Sequence, residues 1–163
     1  MTLDEAVLAR HSVRNYQDKK ISENDLRLIN SMIDICNSEG NLNFKLLEDA
    51  GDTFNRLLNK AMGLASAPSV IACIGKDDET LDERIGYYGE KIVLYAQQLG
   101  LNTCWAGTFN KKKIPVEVAT DERLPIVIAI GYGANPGRIR KSKTIDQVVK
   151  GEVVRIADFG AFV

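Results

Sequence analysis

Two short basic runs and one glycine-ended strand hold the residues of this chain with the types and spacing for chemistry. The first run is Arg10-His11-Ser12-Val13-Arg14. If it is extended, successive side chains alternate, so positions 10, 12 and 14 share a side. Two guanidinium groups and a hydroxyl placed together form a donor-only surface, suited to a phosphate, a carbonyl or an anionic ring. The alternative is that Arg10 only complements the C-terminal dipole of a preceding helix. Spacing does not choose between the two. The second run is Arg138-Ile139-Arg140-Lys141-Ser142-Lys143, just after Gly131 and Gly133. In an extended chain Lys141 and Lys143 share a side and would hold a phosphate between two ammonium groups. The plainer alternative is a solvated basic loop or a weak nucleic-acid patch. No aromatics interleave this run and the formal net charge is -1, so nucleic acid is not expected as a partner.

The third feature spans residues 86 to 107. A long apolar segment, with Tyr88, Ile92, Val93, Leu94, Tyr95, Ala96 and Leu99, stops at Gly100 and passes into Asn102-Thr103-Cys104-Trp105-Ala106-Gly107. A helix apolar on so many sides must be covered on most of its circumference, by its own sheet or by a second subunit. The glycine-ended strand after it presents backbone N–H groups without side-chain hindrance, which suits close approach of a planar ligand.

Other chemistries find little support. His11 is the only histidine and has no Ser/Asp partner set in the sequence. There is no Gly-x-Ser-x-Gly, no phosphate-binding P-loop and no Gly-x-Gly-x-x-Gly opening a helix. Asp77-Asp78 and Asp82-Glu83 fall in a loop and a helix start, where solvated caps are the expected use. Any reaction should therefore belong to a bound cofactor. The cysteines Cys36, Cys73 and Cys104 are odd in number and far apart. They make a poor zinc set and a poor disulfide framework, and are expected to be buried, reduced thiols.

The elements that must position these residues follow from pattern. At 163 residues, 45% hydrophobic and 26% charged, the chain is expected to form one domain over residues 1–163. No apolar run approaches the roughly 20 residues of a membrane span. The N-terminus carries acid where an export signal carries base, so a cytoplasmic location is expected, with no membrane partner. Thr2 and Glu5 predict a capping box opening a helix through Leu8. Arg10 to Tyr16 is irregular or extended. Ser22 caps a helix from Glu23 to about Asn37, with Leu26, Ile29, Met32, Ile33 and Cys36 on one face, and residues 38–41 form a turn. A strand is expected from Leu42 to Glu48, a helix from Asp52 to about Leu64, and a buried strand from Pro68 to Gly75. The long helix runs from about Thr80 to Leu99, with Gly100 in the left-handed position. A short helical piece spans Asn110 to Ala119. Pro125 to Tyr132 is apolar on both faces, hence a central strand. A basic loop and a last helix, Thr144 to Lys150, follow. Helices and strands interleave without regular βαβ alternation, which points to an α+β fold.

Taken in order, these pieces resemble the nitroreductase family of FMN-dependent oxidoreductases. The resemblance rests on Ala9 to Tyr16, Ala67 to Ala72, Gly89 to Gly107, Ile128 to Tyr132 and Lys141-Ser142-Lys143. It implies a central, mostly antiparallel sheet flanked by helices, in an intertwined homodimer with two FMN sites at the subunit interface. Arg10 and Ser12 would contact the FMN phosphate and ribityl chain, with the His11 backbone nearby. Arg14 would reach the N1–C2 carbonyl edge of the flavin ring. Trp105, Ala106 and Gly107 would line the ring's surroundings, with the Gly107 N–H near N5, and Lys141 and Lys143 would complete the phosphate grip. NAD(P)H would be the co-substrate, and a quinone, nitroaromatic or similar small molecule the electron acceptor. The family's Ser-x-Asn-x-Gln-Pro-Trp segment is replaced here by Ser38 to Phe44, which keeps at most Asn41, and the acid usual before the glycine is Ala106. The alternative these departures suggest is a flavin-binding protein of the same fold with little or no reductase turnover.

Overall fold

A computed structural model describes residues 1–50, 53–54, 67–135, 137, 143 and 147. Among the described residues, helices and strands follow in the order α1 (Leu3–Ala9), α2 (Glu23–Gly40), β1 (Lys45–Glu48), β2 (Ser69–Lys76), α3 (Leu81–Gln98), β3 (Asn102–Ala106) and β4 (Glu122–Gly131). The strands form one antiparallel sheet in the order β1-β2-β4-β3. The expected α+β class, with helices packed on an antiparallel sheet, is what the chain adopts.

β4 is central, as its two-faced apolar pattern requires. Along it Ile128 and Ile130 enter the core beneath the helices, with Ile71 and Cys73 of β2 and with Ile33, Ile85 and Ile92. The intervening Val127 and Ala129 enter a second core on the opposite face, with Val70, Ala72, Ile74, Tyr16 and Phe54. A period of two thus splits one strand between two cores. β4 begins at Glu122, three residues before the expected start, because the β2–β4 register shifts between Cys73 and Gly75. Pro125 falls in that irregularity, where its missing N–H breaks no ladder bond.

The helices start where the capping residues predict. Thr2 and Glu5 close a reciprocal box, and the Ser22 side chain accepts from the Asp25 N–H. α2 runs past the expected turn to Gly40, and Asn41 takes the left-handed cap at φ 48°. Gly40 is needed inside the helix for space, since a Cβ there would lie 2.5 Å from the Tyr88 ring. Asn37 then clasps the chain on its way to β1: its amide donates to the Phe44 carbonyl at 3.0 Å and accepts from the Phe44 N–H at 2.7 Å. α3 ends as expected, with Gly100 at φ 79°. The helix expected over 110–119 is only a 3₁₀ turn, Lys111–Lys113, capped by Asn110. Pro115, which has no N–H to continue the pattern, stops it. All three cysteines are buried and free, and burial pushes the thiols of Cys36 and Cys73 up from their ordinary range. The helix expected over 52–64, the basic loop around Lys141 and the helix expected over 144–150 lie outside the described residues, apart from single positions.

Candidate functional site

The segment after α1 crosses the ends of the two strands that carry the site. Val13 is buried and its N–H donates to the Thr103 carbonyl of β3 at 3.0 Å. Beyond it, Gln17 N–H donates to the Tyr132 carbonyl at 2.8 Å, and Ala134 N–H donates back to the Asn15 carbonyl at 2.8 Å. Tyr16 forms an isolated bridge with Gly133, and Gly133 N–H is held by the Asn102 side chain at 2.9 Å. This stitching fixes the backbone of residues 13–17 against the start of β3 and the end of β4. Tyr16 is buried, its hydroxyl facing the Ala129 carbonyl at 3.4 Å, and burial raises its phenol well above the ordinary range.

Arg10 leaves α1 and turns its side chain onto α3. Its Nε lies 3.1 Å from Glu90 Oε1, and the guanidinium side chain is only 18% exposed. The other carboxylate oxygen of Glu90 accepts from the Trp105 indole N–H at 2.9 Å. The Trp105 ring rests on Gly89, where a Cβ would come within 2.3 Å of it. One carboxylate thereby joins a cation from the N-terminal segment to the aromatic side chain of β3. Glu90 is absent from the sequence-based expectation. The available signal was that Glu90 and Lys91 are the only charges between Ile85 and Leu101, and a lone acid on an apolar helix needs partners.

The remaining expected residues are placed as follows. The His11 ring has Nδ1 2.8 Å from the Ala9 carbonyl. A Cβ on Gly137 would lie 2.9 Å from the His11 ring and 3.2 Å from the Ser12 carbonyl, so the loop after β4 folds back over both residues. Arg14 is exposed. Trp105 and Ala106 occupy opposite faces of the sheet, Trp105 against the helical core and Ala106 in the second core. Ala106 therefore offers a ligand only its backbone. Gly107 is exposed, with nothing within 4 Å of an added Cβ. Lys143 is exposed, and Lys141 lies outside the described residues.

Trp105 and Glu90 form part of the wall of a groove of about 1250 Å³ that runs along the outer side of α3, lined also by Tyr87, Lys91, Leu94 and Tyr95. Tyr87 is 61% exposed there. Lys91 is paired with Glu39 at 2.8 Å, which raises its pKa, and stands over the Tyr88 ring at 5.3 Å. Among the described residues no group of His, Cys, Asp or Glu could hold a metal ion, and no helix is long and apolar enough to cross a membrane. What the structure brings together beside this groove is the Arg10 guanidinium, the Glu90 carboxylate and the Trp105 ring.

The family model described as "Putative TM nitroreductase" matches residues 2–158. No curated protein matches the chain. Among solved structures, it is similar to a nitroreductase family protein from Clostridium difficile 630, at 20% identity over 94% of this chain and 100% of that one, TM-score 0.66. A structure titled "putative nitroreductase in complex with fmn", from Desulfovibrio desulfuricans, aligns at 18% identity over 95% of this chain and 99% of that one, TM-score 0.74. An FMN and NADPH-dependent nitroreductase variant derived from Sphigopyxis sp. strain HMH aligns at 14% identity over 93% and 99%, TM-score 0.72. At these identities the structures speak for the fold, and the family model speaks for descent: this chain belongs to the nitroreductase family.

Proposed function

We propose that this protein is an FMN-dependent NAD(P)H oxidoreductase, a single domain over residues 1–163 working as a homodimer. FMN, when bound, supplies the ring that accepts hydride from NAD(P)H and passes it to a quinone, nitroaromatic or similar small acceptor. The chain's own residues bind and orient it. Arg10, Ser12 and the His11 backbone take the phosphate and ribityl end, joined by Lys141 and Lys143. Arg14 places a cation at the N1–C2 carbonyl edge, and the backbone of Ala106 and Gly107, beside Trp105, lines the ring. A fixed cation at that edge favours charge developing there, because it needs no reorganisation when the charge appears.

The observation that carries this reading is the packing of Gly137 on His11 and Ser12. Gly137 directly precedes the second basic run in the sequence. Further support comes from family membership and from neighbours named for FMN and NADPH. The outer side of α3, with Leu94, Tyr95 and exposed Tyr87 along the groove, is the face assigned to the second copy.

The test is anaerobic. The purified protein should be yellow or take up added FMN, and the flavin absorbance should bleach on adding NADH or NADPH. Colourless protein that takes up no FMN overturns the proposal. Flavin that neither nucleotide bleaches favours the second reading, a flavin-binding protein with little turnover. One observation speaks for that reading: residues 37–44, where the family's Gln-Pro-Trp segment would reach a partner, are clasped onto their own chain by Asn37.

A further inference from the structure

Glu90 stands where the N-terminal cation and the strand aromatic meet. Its two oxygens are divided, one to Arg10 Nε at 3.1 Å and one to the Trp105 indole N–H at 2.9 Å. Among the described residues, no hydrogen bond or ion pair engages the Nη groups of Arg10. We propose that Glu90 is a positioning residue of the cofactor site, a carboxylate that holds Arg10 by its Nε edge so that the Nη pair is presented to an anionic group. The same carboxylate holds the Trp105 indole, whose Cη2 corner packs on Gly89. The proposal rests on the reading of Arg10 as a ligand of the FMN phosphate.

The opposing argument is electrostatic: a carboxylate next to Arg10 neutralises it and repels a phosphate. Geometry decides against it. One oxygen of Glu90 accepts the Trp105 N–H and the other is ion-paired with Arg10, and the Arg10 side chain is 18% exposed against 38% for Glu90, so the pair is half-buried. Separating a half-buried pair leaves a partly desolvated charge without a partner. The pair therefore persists when the groove fills. A guanidinium offers separate edges, so one can be tied while the others bind. A long side chain already ordered spares a ligand the entropy of ordering it. A lysine at position 10 has no second edge to offer.

The test uses Glu90→Gln, which keeps the shape but offers one acceptor oxygen to two donors. FMN affinity is read from quenching of the flavin's own fluorescence, and the flavin-free protein is read by emission of Trp105, the sole tryptophan. The variant should raise the FMN Kd about tenfold, equal to about 1.4 kcal/mol. Trp105 emission should shift to longer wavelength as the indole loses its partner. Because Glu90 acts through Arg10, adding Glu90→Gln to an Arg10→Gln background should change Kd less than twofold. A Kd within twofold of the parent or tighter, or a full effect persisting in that background, overturns the proposal. A parent protein that binds no FMN overturns the cofactor reading instead. The positioning role falls with it, whatever the emission shows. If Glu90→Gln does not fold, Glu90→Asp, a methylene too short to span both donors, takes its place under the same criteria.

Discussion

Gly89 and Trp105 touch so closely that a single added carbon at position 89 would sit 2.3 Å from Cη2 of the indole. Alanine is the better helix former by up to about 1 kcal/mol, yet overpacking of this kind typically costs about 1–3 kcal/mol. Gly89→Ala should be net destabilising in denaturant unfolding and should move Trp105 off the helix. Gly86, one turn earlier, has nothing within 4 Å of an added Cβ. Gly86→Ala should stabilise the fold by about 0.5–1 kcal/mol. Equal effects at the two positions would contradict the packing.

Asp78 anchors the start of α3. One oxygen takes both the N–H and the hydroxyl of Thr80, and the other takes Arg84, whose second arm reaches the carbonyls of Gly40 and Asn41 at the end of α2. The Thr80 hydrogen bond first, and then Arg84, lower the Asp78 pKa. A carboxyl depressed in the folded state contributes stability above its ordinary value of about 3.9, and loses it as pH falls through the folded value. Asp78→Asn should therefore lower Tm near neutrality and flatten its fall below about pH 4. An acid limb identical to the parent's would refute this.

Arg14 is exposed, so its role depends on what it faces in the loaded protein. If it stands at the N1–C2 carbonyl edge of FMN, Arg14→Ala should lower the two-electron potential. A cation–anion contact of about 1–4 kcal/mol corresponds to roughly 20–90 mV for such a couple. Redox titration of the bound flavin measures it, and an unchanged potential argues against the contact.

Leu94 is half-buried in the isolated chain and lines the groove on the outer side of α3. Leu94→Glu should leave the fold intact but convert a homodimer to a monomer in size-exclusion chromatography with light scattering. A parent protein that is already monomeric at low micromolar concentration would remove the second copy from the proposal.

What pattern could foretell was local or periodic. The caps at Thr2 and Ser22, the buried face of α2, the span of α3 and the central place of β4 all follow from spacing along short stretches. What escaped depends on pairing across the chain. β4 starts at Glu122 because its register with β2 shifts around Pro125. α2 outlasts its expected end because Asn41 tolerates the left-handed position and Gly40 must fit beneath Tyr88. Glu90 is the plainest case. Its meaning comes from Arg10 and Trp105, which are brought to it by two other elements, and the helical pattern around it records only that Glu90 and Lys91 interrupt an apolar run.

The alternation along β3 divides responsibility between neighbours. Side chains at 104 and 106 answer to the interior beyond the sheet, while the one at 105 answers to the groove. Mutational drift at position 105 therefore reshapes the wall of the cleft while the packing beyond the sheet stays as it was. Bulk added at position 106 would disturb the fold and leave the wall of the cleft where it stood.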